Sequence, residues 1–162
     1  MIFASVGTNQ LHFDRFVKGV DNLASQITEE VVIQIGYCLY RPRYARYFEF
    51  CEHGKMLSFI KKANIVVAHA GFGIIGECIR CNKGLVLVPR EYRFGEAVDN
   101  QVELAEYLAE RAESIICVRD VSKLREAVEI IKKITPCYNF KTMIPEIIRD
   151  FVNRKLVLFQ QW

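Results

Sequence analysis

The chain has 162 residues, enough for one compact domain with its own core and too few for a second of similar size. Hydrophobic residues make up 51% and charged residues 25%, which is ordinary for a folded soluble protein. A net charge of +3 is too mild for a nucleic-acid-binding surface, and no apolar stretch reaches the roughly 18 residues of a membrane span.

The elements alternate. Ile2–Val6 reads as a buried strand ending at Gly7. Phe13, Phe16, Val17, Val20, Leu23, Ala24 and Ile27 then recur at helical spacing. Val31–Ile35 is a second apolar strand, closed by Gly36. Residues 41–51 read as irregular to extended, with Tyr44, Tyr47 and Phe50 among Arg41, Arg43 and Arg46. Those arginines read as a solvated face, with an acidic partner or a lipid headgroup as the alternative.

Met56 to Ala63 suggests a short helix, and Ile65–Ala68 a third buried strand. After Gly71 and Gly73 a helix is expected from about Ile74 to Cys81, then a strand over Leu85–Val88 stopped by Pro89. Asn100–Arg111 reads as a helix, Ser114–Val118 as a strand, and Val121–Ile134 as a helix with Ser122 near its N-cap. Beyond Pro136 a last helix is expected over Ile144–Arg154. An apolar tail, Leu156–Trp162, follows, expected to close the core or to meet a partner.

Continuous apolar strands separated by helices predict a parallel sheet covered on both faces, an α/β fold of one domain spanning residues 1–162. Ligands of such sheets sit beyond the carboxyl ends of the strands. That rule points to Gly7–Asn9, Gly36–Tyr37, His69–Gly73 and Pro89–Arg93.

The six cysteines, Cys38, Cys51, Cys78, Cys81, Cys117 and Cys137, are expected to be free thiols. Cys78 and Cys81 form a CxxC without a second Cys/His pair at zinc-like spacing, so no metal is expected. The opening Met1–Ile2–Phe3 shows no signal-peptide pattern, so a cytoplasmic location is expected.

The sharpest feature is His69-Ala70-Gly71-Phe72-Gly73-Ile74-Ile75-Gly76-Glu77, a glycine turn between a strand and a helix. Glycines let backbone approach a ligand closely, and the N–H groups of a first helical turn attract an anion such as a diphosphate. A ligand-free strand-to-helix turn is the plain alternative. Another is a dinucleotide fingerprint: Gly71, Gly73 and Gly76 match GxGxxG, and Glu91 lies 20 residues past Gly71. Against it, the motif follows two earlier strands instead of the first, and Pro89 and Arg90 precede the acid. Glu77 is placed to accept hydrogen bonds from the two hydroxyls of a ribose, or simply to favour the helix dipole. In Asp99-Asn100-Gln101 the amides suit sugar hydroxyls and Asp99 suits a cap.

Gly7-Thr8, Gln34-Ile35-Gly36, the His69–Gly73 turn, Glu77, Leu85–Pro89 and Asn100-Gln101, in that order, resemble the C-terminal domain of the glycosyltransferase 28 group. That group includes the small donor-binding subunits of two-part UDP-GlcNAc transferases of dolichol-linked or bacterial exopolysaccharide synthesis. The resemblance implies a Rossmann-like half of a GT-B enzyme that binds a UDP-sugar without a cofactor. By it, Gly7, Thr8, Ala70, Gly71, Phe72, Gly73, Ile74, Glu77, Asn100 and Gln101 contact the donor. The turn would face the diphosphate, Glu77 the ribose, and Asn100 and Gln101 the sugar. Ile74 stands where the group often has Ser or Thr, and Asn100 where it often has His. These departures keep open a non-catalytic nucleotide-sugar-binding protein.

In single-chain relatives the general base belongs to the other domain. The resemblance therefore implies a membrane-anchored partner subunit carrying a lipid-linked acceptor, with this chain peripheral to the membrane. His12 and His69 are the base candidates, His69 being better read as packing the turn. Self-association stays open.

Overall fold

A computed structural model describes residues 1–96 and 101–138. Asn100, the expected C-terminal helix and the tail lie outside the described residues.

The strands are β1 (Ile2–Ser5), β2 (Val31–Gln34), β3 (Arg46–Phe48), β4 (Ile65–Ala68), β5 (Gly84–Leu87) and β6 (Ile115–Cys117). The helices are α1 (Asp14–Ala24), α2 (His53–Lys62), α3 (Phe72–Arg80), α4 (Gln101–Ala109) and α5 (Leu124–Ile131). All six strands run parallel in the order β3-β2-β1-β4-β5-β6. Every residue of β1, β2, β4 and β5 is buried, as continuous apolar runs require when helices cover both faces.

The pleat divides the core. Ile2 and Ala4 face Phe16, Val17, Val20 and Leu23 of α1 with Leu124, Val128 and Ile131 of α5. Phe3 faces the opposite layer, with Ile60 of α2, Ile75 and Cys78 of α3, and Ala105 of α4. Each such buried aliphatic or aromatic side chain contributes about 1.5–3 kcal/mol of transfer free energy. An acidic residue at Val20 or Val128 would put an unpaired charge into that layer.

Three expectations need correction. The stretch 41–51 contains a true edge strand, β3, whose backbone pairs with Val32–Gln34 although Arg46 and Tyr47 are exposed. Helix α3 starts at Phe72, two residues earlier than expected, with the extended Gly71 as its N-cap residue. The Val121 segment opens as a 3-10 turn capped by Asp120, whose carboxylate accepts from the Ser122 N–H at 3.0 Å, and only then becomes α5.

Strand order changes direction between β1 and β4: the chain leaves β1 for β2 on one side and returns through β4 on the other. A crevice opens at such a switch point, at the carboxyl ends of the strands. Register places Ser5 level with Gln34 on one side and Ala68 on the other, so Gly7 and the His69–Gly71 turn rise side by side at that crevice.

Candidate functional site

The crevice is built from β1 upward. The Ser5 hydroxyl donates to Oε1 of Gln34 at 2.6 Å and accepts from the Gly7 N–H at 3.2 Å. Nε2 of Gln34 donates to the Gly7 carbonyl at 2.9 Å. Both side chains are buried, so this network holds Gly7 in the left-handed conformation (φ 79°) that glycine adopts without strain. Thr8 follows, exposed.

From β4 the backbone N–H of His69 donates to Ser5 O at 3.1 Å, and the Gly71 N–H donates back to His69 O at 2.9 Å. The His69 ring is wedged between Gly7 and Gly71, its Nδ1 3.4 Å from the Ser5 carbonyl. Gly71 is the N-cap residue of α3, extended (φ −96°, ψ 137°), with no side chain capping the helix. The Gly71 N–H is thus spent inside the turn. The donors facing outward are those of the first turn, Phe72, Gly73 and Ile74. Phe72 is 80% exposed, and no acidic residue occupies that turn. Positive potential at this end therefore reaches solvent.

Two cavities flank the start of α3. One, about 330 Å³, lies toward α2 and is lined by Gly7, Thr8, Gly73, Ile74 and Glu77, with Gln34, His53, Met56, Leu57 and His69. Its apolar floor and single carboxylate suit a planar base with a polyhydroxyl ring. The other, about 350 Å³, lies toward α4 and is lined by Ala70, Gly71, Phe72 and Gln101, with Glu103, Leu104 and Tyr107. Every expected donor-site residue among those described lines one or the other. The glycine turn stands between them.

Glu77 is 15% exposed, held by an ion pair to Arg80 three residues on, with Nε2 of His53 3.7 Å away. Gln101 is buried, and its Oε1 accepts from the Arg90 N–H at 3.2 Å. That bond leaves the amide NH2 as the group it offers to the cavity.

His12 stands apart from both cavities. Its Nδ1 donates to the Tyr37 carbonyl at 2.8 Å, since a carbonyl only accepts, so Nε2 is the basic nitrogen of the neutral ring.

Glu91, the acid of the dinucleotide alternative, is engaged elsewhere. Arg119 donates to it at 2.8 Å and Arg93 pairs with it at 2.9 Å. Arg119's hydrogen bond, helped by Arg93 and opposed by burial, holds the carboxyl below its ordinary range.

All six cysteines are free. Burial pushes the Cys78 thiol up to about 12, which makes it an inert core residue. Among the described residues no three His, Cys, Asp or Glu side chains group as a metal site, and no helix is long and apolar enough to cross a membrane.

Sequence reasoning missed the Ser5–Gln34 network, the Met56–Leu57 floor, His53 and Arg90. Position at or just beyond the carboxyl end of a strand was the one available signal for Gln34 and Arg90. The pairing of each with a distant loop leaves no local pattern.

Residues 1–145 match the glycosyltransferase family 28 C-terminal domain. No curated protein matches the chain in sequence. Among solved structures it is similar to the glycotransferase of kitacinnamycin (TM-score 0.65, 18% identity, 82% of this chain and 34% of that one). It is also similar to CalG4, the calicheamicin glycosyltransferase (TM-score 0.62, 18% identity, 83% and 34%). MurG of Acinetobacter baumannii is a third (TM-score 0.55, 17% identity, 80% and 44%). The chain thus spans between a third and a half of the length of these structures. At these identities the likeness establishes the fold. The chain belongs to the glycosyltransferase family 28 C-terminal domain family and has the α/β, Rossmann-like architecture of one half of a GT-B enzyme.

Proposed function

We propose that this chain is the donor-binding half of an inverting glycosyltransferase that takes a sugar, GlcNAc or a related hexose, from a UDP-sugar. One observation carries the reading: the uncapped first turn of α3 stands between a cavity lined by Glu77 and a cavity lined by Gln101. A diphosphate fits the turn, where N–H groups and the helix dipole meet its charge. The nucleoside then lies toward α2 with its ribose hydroxyls on Glu77. The sugar lies toward α4 against the Gln101 NH2. Transfer leaves negative charge on the departing UDP, and the same N–H groups stabilise it.

The acceptor side comes from a partner subunit, anchored in the membrane and presenting a lipid-linked acceptor, with this chain peripheral on its cytoplasmic face. The exposure of Phe72, Tyr37, Tyr92 and Phe94 beyond the carboxyl ends of the strands supports a covered face. No metal or cofactor is required, because the helix terminus supplies the charge complement. The general base belongs to the partner or is Nε2 of His12. His69, packed between two glycines, suits a structural role.

Calorimetry with UDP, UDP-GlcNAc and other UDP-hexoses tests the site. Glu77→Gln should weaken UDP by about ten- to a hundredfold, the worth of hydrogen bonds to a charged group. Unchanged affinity in that variant, or no nucleotide binding by the wild type, sinks the reading. Binding without transfer in the presence of the partner would instead make the chain a nucleotide-sugar sensor, the reading that Ile74 in place of a hydroxyl residue favours.

A further inference from the structure

Arg90 follows the proline that ends the β5 run, yet its side chain turns inward and is 1% exposed. Its guanidinium carbon lies 4.6 Å over the Phe13 ring. Nη2 donates to the Val6 carbonyl at 3.0 Å, and Nη1 to those of Leu11 at 2.9 Å and Glu96 at 3.0 Å. The backbone N–H of the same residue holds Oε1 of Gln101. Val6 and Leu11 bracket the loop that carries Gly7 and Thr8. Gln101 is the first residue of α4. Gly7 and Thr8 line one cavity and Gln101 lines the other. A guanidinium presents its donors in a rigid plane, so the three carbonyls are held at fixed mutual distance, which a flexible ammonium could not do.

We infer that Arg90 is a positioning residue that couples the two cavities, setting the Gly7–Thr8 loop against Gln101 so that both ends of one donor molecule meet a single rigid frame. It touches no ligand itself. The inference rests on the donor-site reading above, but the coupling is measurable without ligand.

Two variants of the full chain test it. Arg90→Lys keeps the charge and loses the fork; Arg90→Met keeps the stem and loses both. In amide NMR of the free chain, the Gly7 and Thr8 signals and the Gln101 side-chain NH2 should move together in both variants, with the α2 and α5 amides unmoved. By calorimetry, the ratio of UDP-GlcNAc to UDP affinity should fall about tenfold in both, the worth of one well-placed hydrogen bond. Movement of one loop alone, a lysine variant that behaves as wild type, or unfolding of both variants would overturn the inference, the last by showing a core role. A wild-type chain that binds neither nucleotide overturns the donor reading, while the amide shifts still decide the coupling.

Discussion

A Cβ on Gly71 would stand 2.3 Å from Nε2 of His69, and one on Gly7 would stand 2.5 Å from Cε1 of the same ring. The two glycines are therefore spaces for an imidazole as much as approaches for a ligand. Gly71→Ala should cost roughly 1–3 kcal/mol, the range for overpacking. His69→Ala in the same chain should recover most of that loss, because Gly71 has an ordinary negative φ. Gly7→Ala should be only partly recovered by the same second change, since its φ of 79° still costs roughly 1–2 kcal/mol for a residue with a Cβ. Urea denaturation of the singles and doubles measures both. Simple additivity of Gly71→Ala and His69→Ala would show that the ring does not fill that space.

Asp21 is a buried carboxylate on α1 that gathers the β2–β3 crossover. It accepts from the N–H groups of Arg43, Tyr44 and Ala45 at 2.8–3.0 Å and from the Tyr40 hydroxyl at 2.8 Å. Burial alone pushes its pKa up, but the four donors outweigh it and leave the carboxyl below its ordinary value. A folded-state pKa that is depressed gives stability present above the unfolded pKa and lost as pH falls through the folded one. Asp21→Asn should therefore cost roughly 1–3 kcal/mol at neutral pH. The gap from wild type should narrow in acid, starting near the ordinary Asp value of about 4 and continuing below it. Denaturation midpoints at pH 7 and pH 3 provide the check, and a gap that stays constant between them refutes it.

The parts of this structure legible in sequence are those fixed by local pattern. Val31–Gln34 and Ile65–Ala68 read as strands because both faces are buried and every residue is apolar or satisfied within the sheet. The glycine turn read as a site because it sits at a strand-to-helix junction. Strand β3 was not legible, since Arg46 and Tyr47 face solvent and only pairing with β2 makes them a strand. Gln34 and Arg90 act through partners 27 and 84 residues away, Gly7 and Val6, and no window on the chain shows such a bond. Resemblance supplied the proposed roles of Glu77 and Gln101, which position alone left open between a ligand contact and, respectively, a helix-dipole residue and part of a helix cap.

The dinucleotide alternative makes an opposite forecast about NAD. That cofactor needs a free carboxylate beyond the strand after the glycine turn to take its ribose hydroxyls. Glu91 is the residue at that spacing, and Arg119 and Arg93 already occupy both of its oxygens. A ribose reaching Glu91 would have to displace two guanidinium groups from a carboxylate that is itself only 5% exposed. NAD and NADH should therefore show no binding at millimolar concentration under conditions where UDP binds. Nicotinamide fluorescence reads this directly. Saturable NADH binding that Glu91→Gln abolishes would restore the dehydrogenase-like reading.

Gln101 offers the most discriminating change, because its amide is already half used. Oε1 accepts from the Arg90 N–H at 3.2 Å, so the NH2 is what remains for a sugar oxygen. Gln101→Glu preserves the acceptor for Arg90 and exchanges the NH2 for a second carboxylate oxygen, in a cavity that already contains Glu103. The Arg90 bond survives, so the frame should stand, while a carboxylate in this buried position beside Glu103 should lower the melting temperature. The proposed ligand contact changes: a carboxylate only accepts, so an acceptor-only oxygen of the sugar, such as an N-acetyl carbonyl, loses its donor. Affinity for UDP should stay within about twofold, since in the proposed pose UDP ends at the turn, while that for UDP-GlcNAc should drop about tenfold toward the UDP value. Gln101→Asn should lose more, because a side chain shorter by one methylene reaches neither Arg90 nor the sugar. Paired calorimetric titrations with the two ligands separate these outcomes. Equal losses for UDP and UDP-GlcNAc in Gln101→Glu would place the sugar outside the α4 cavity.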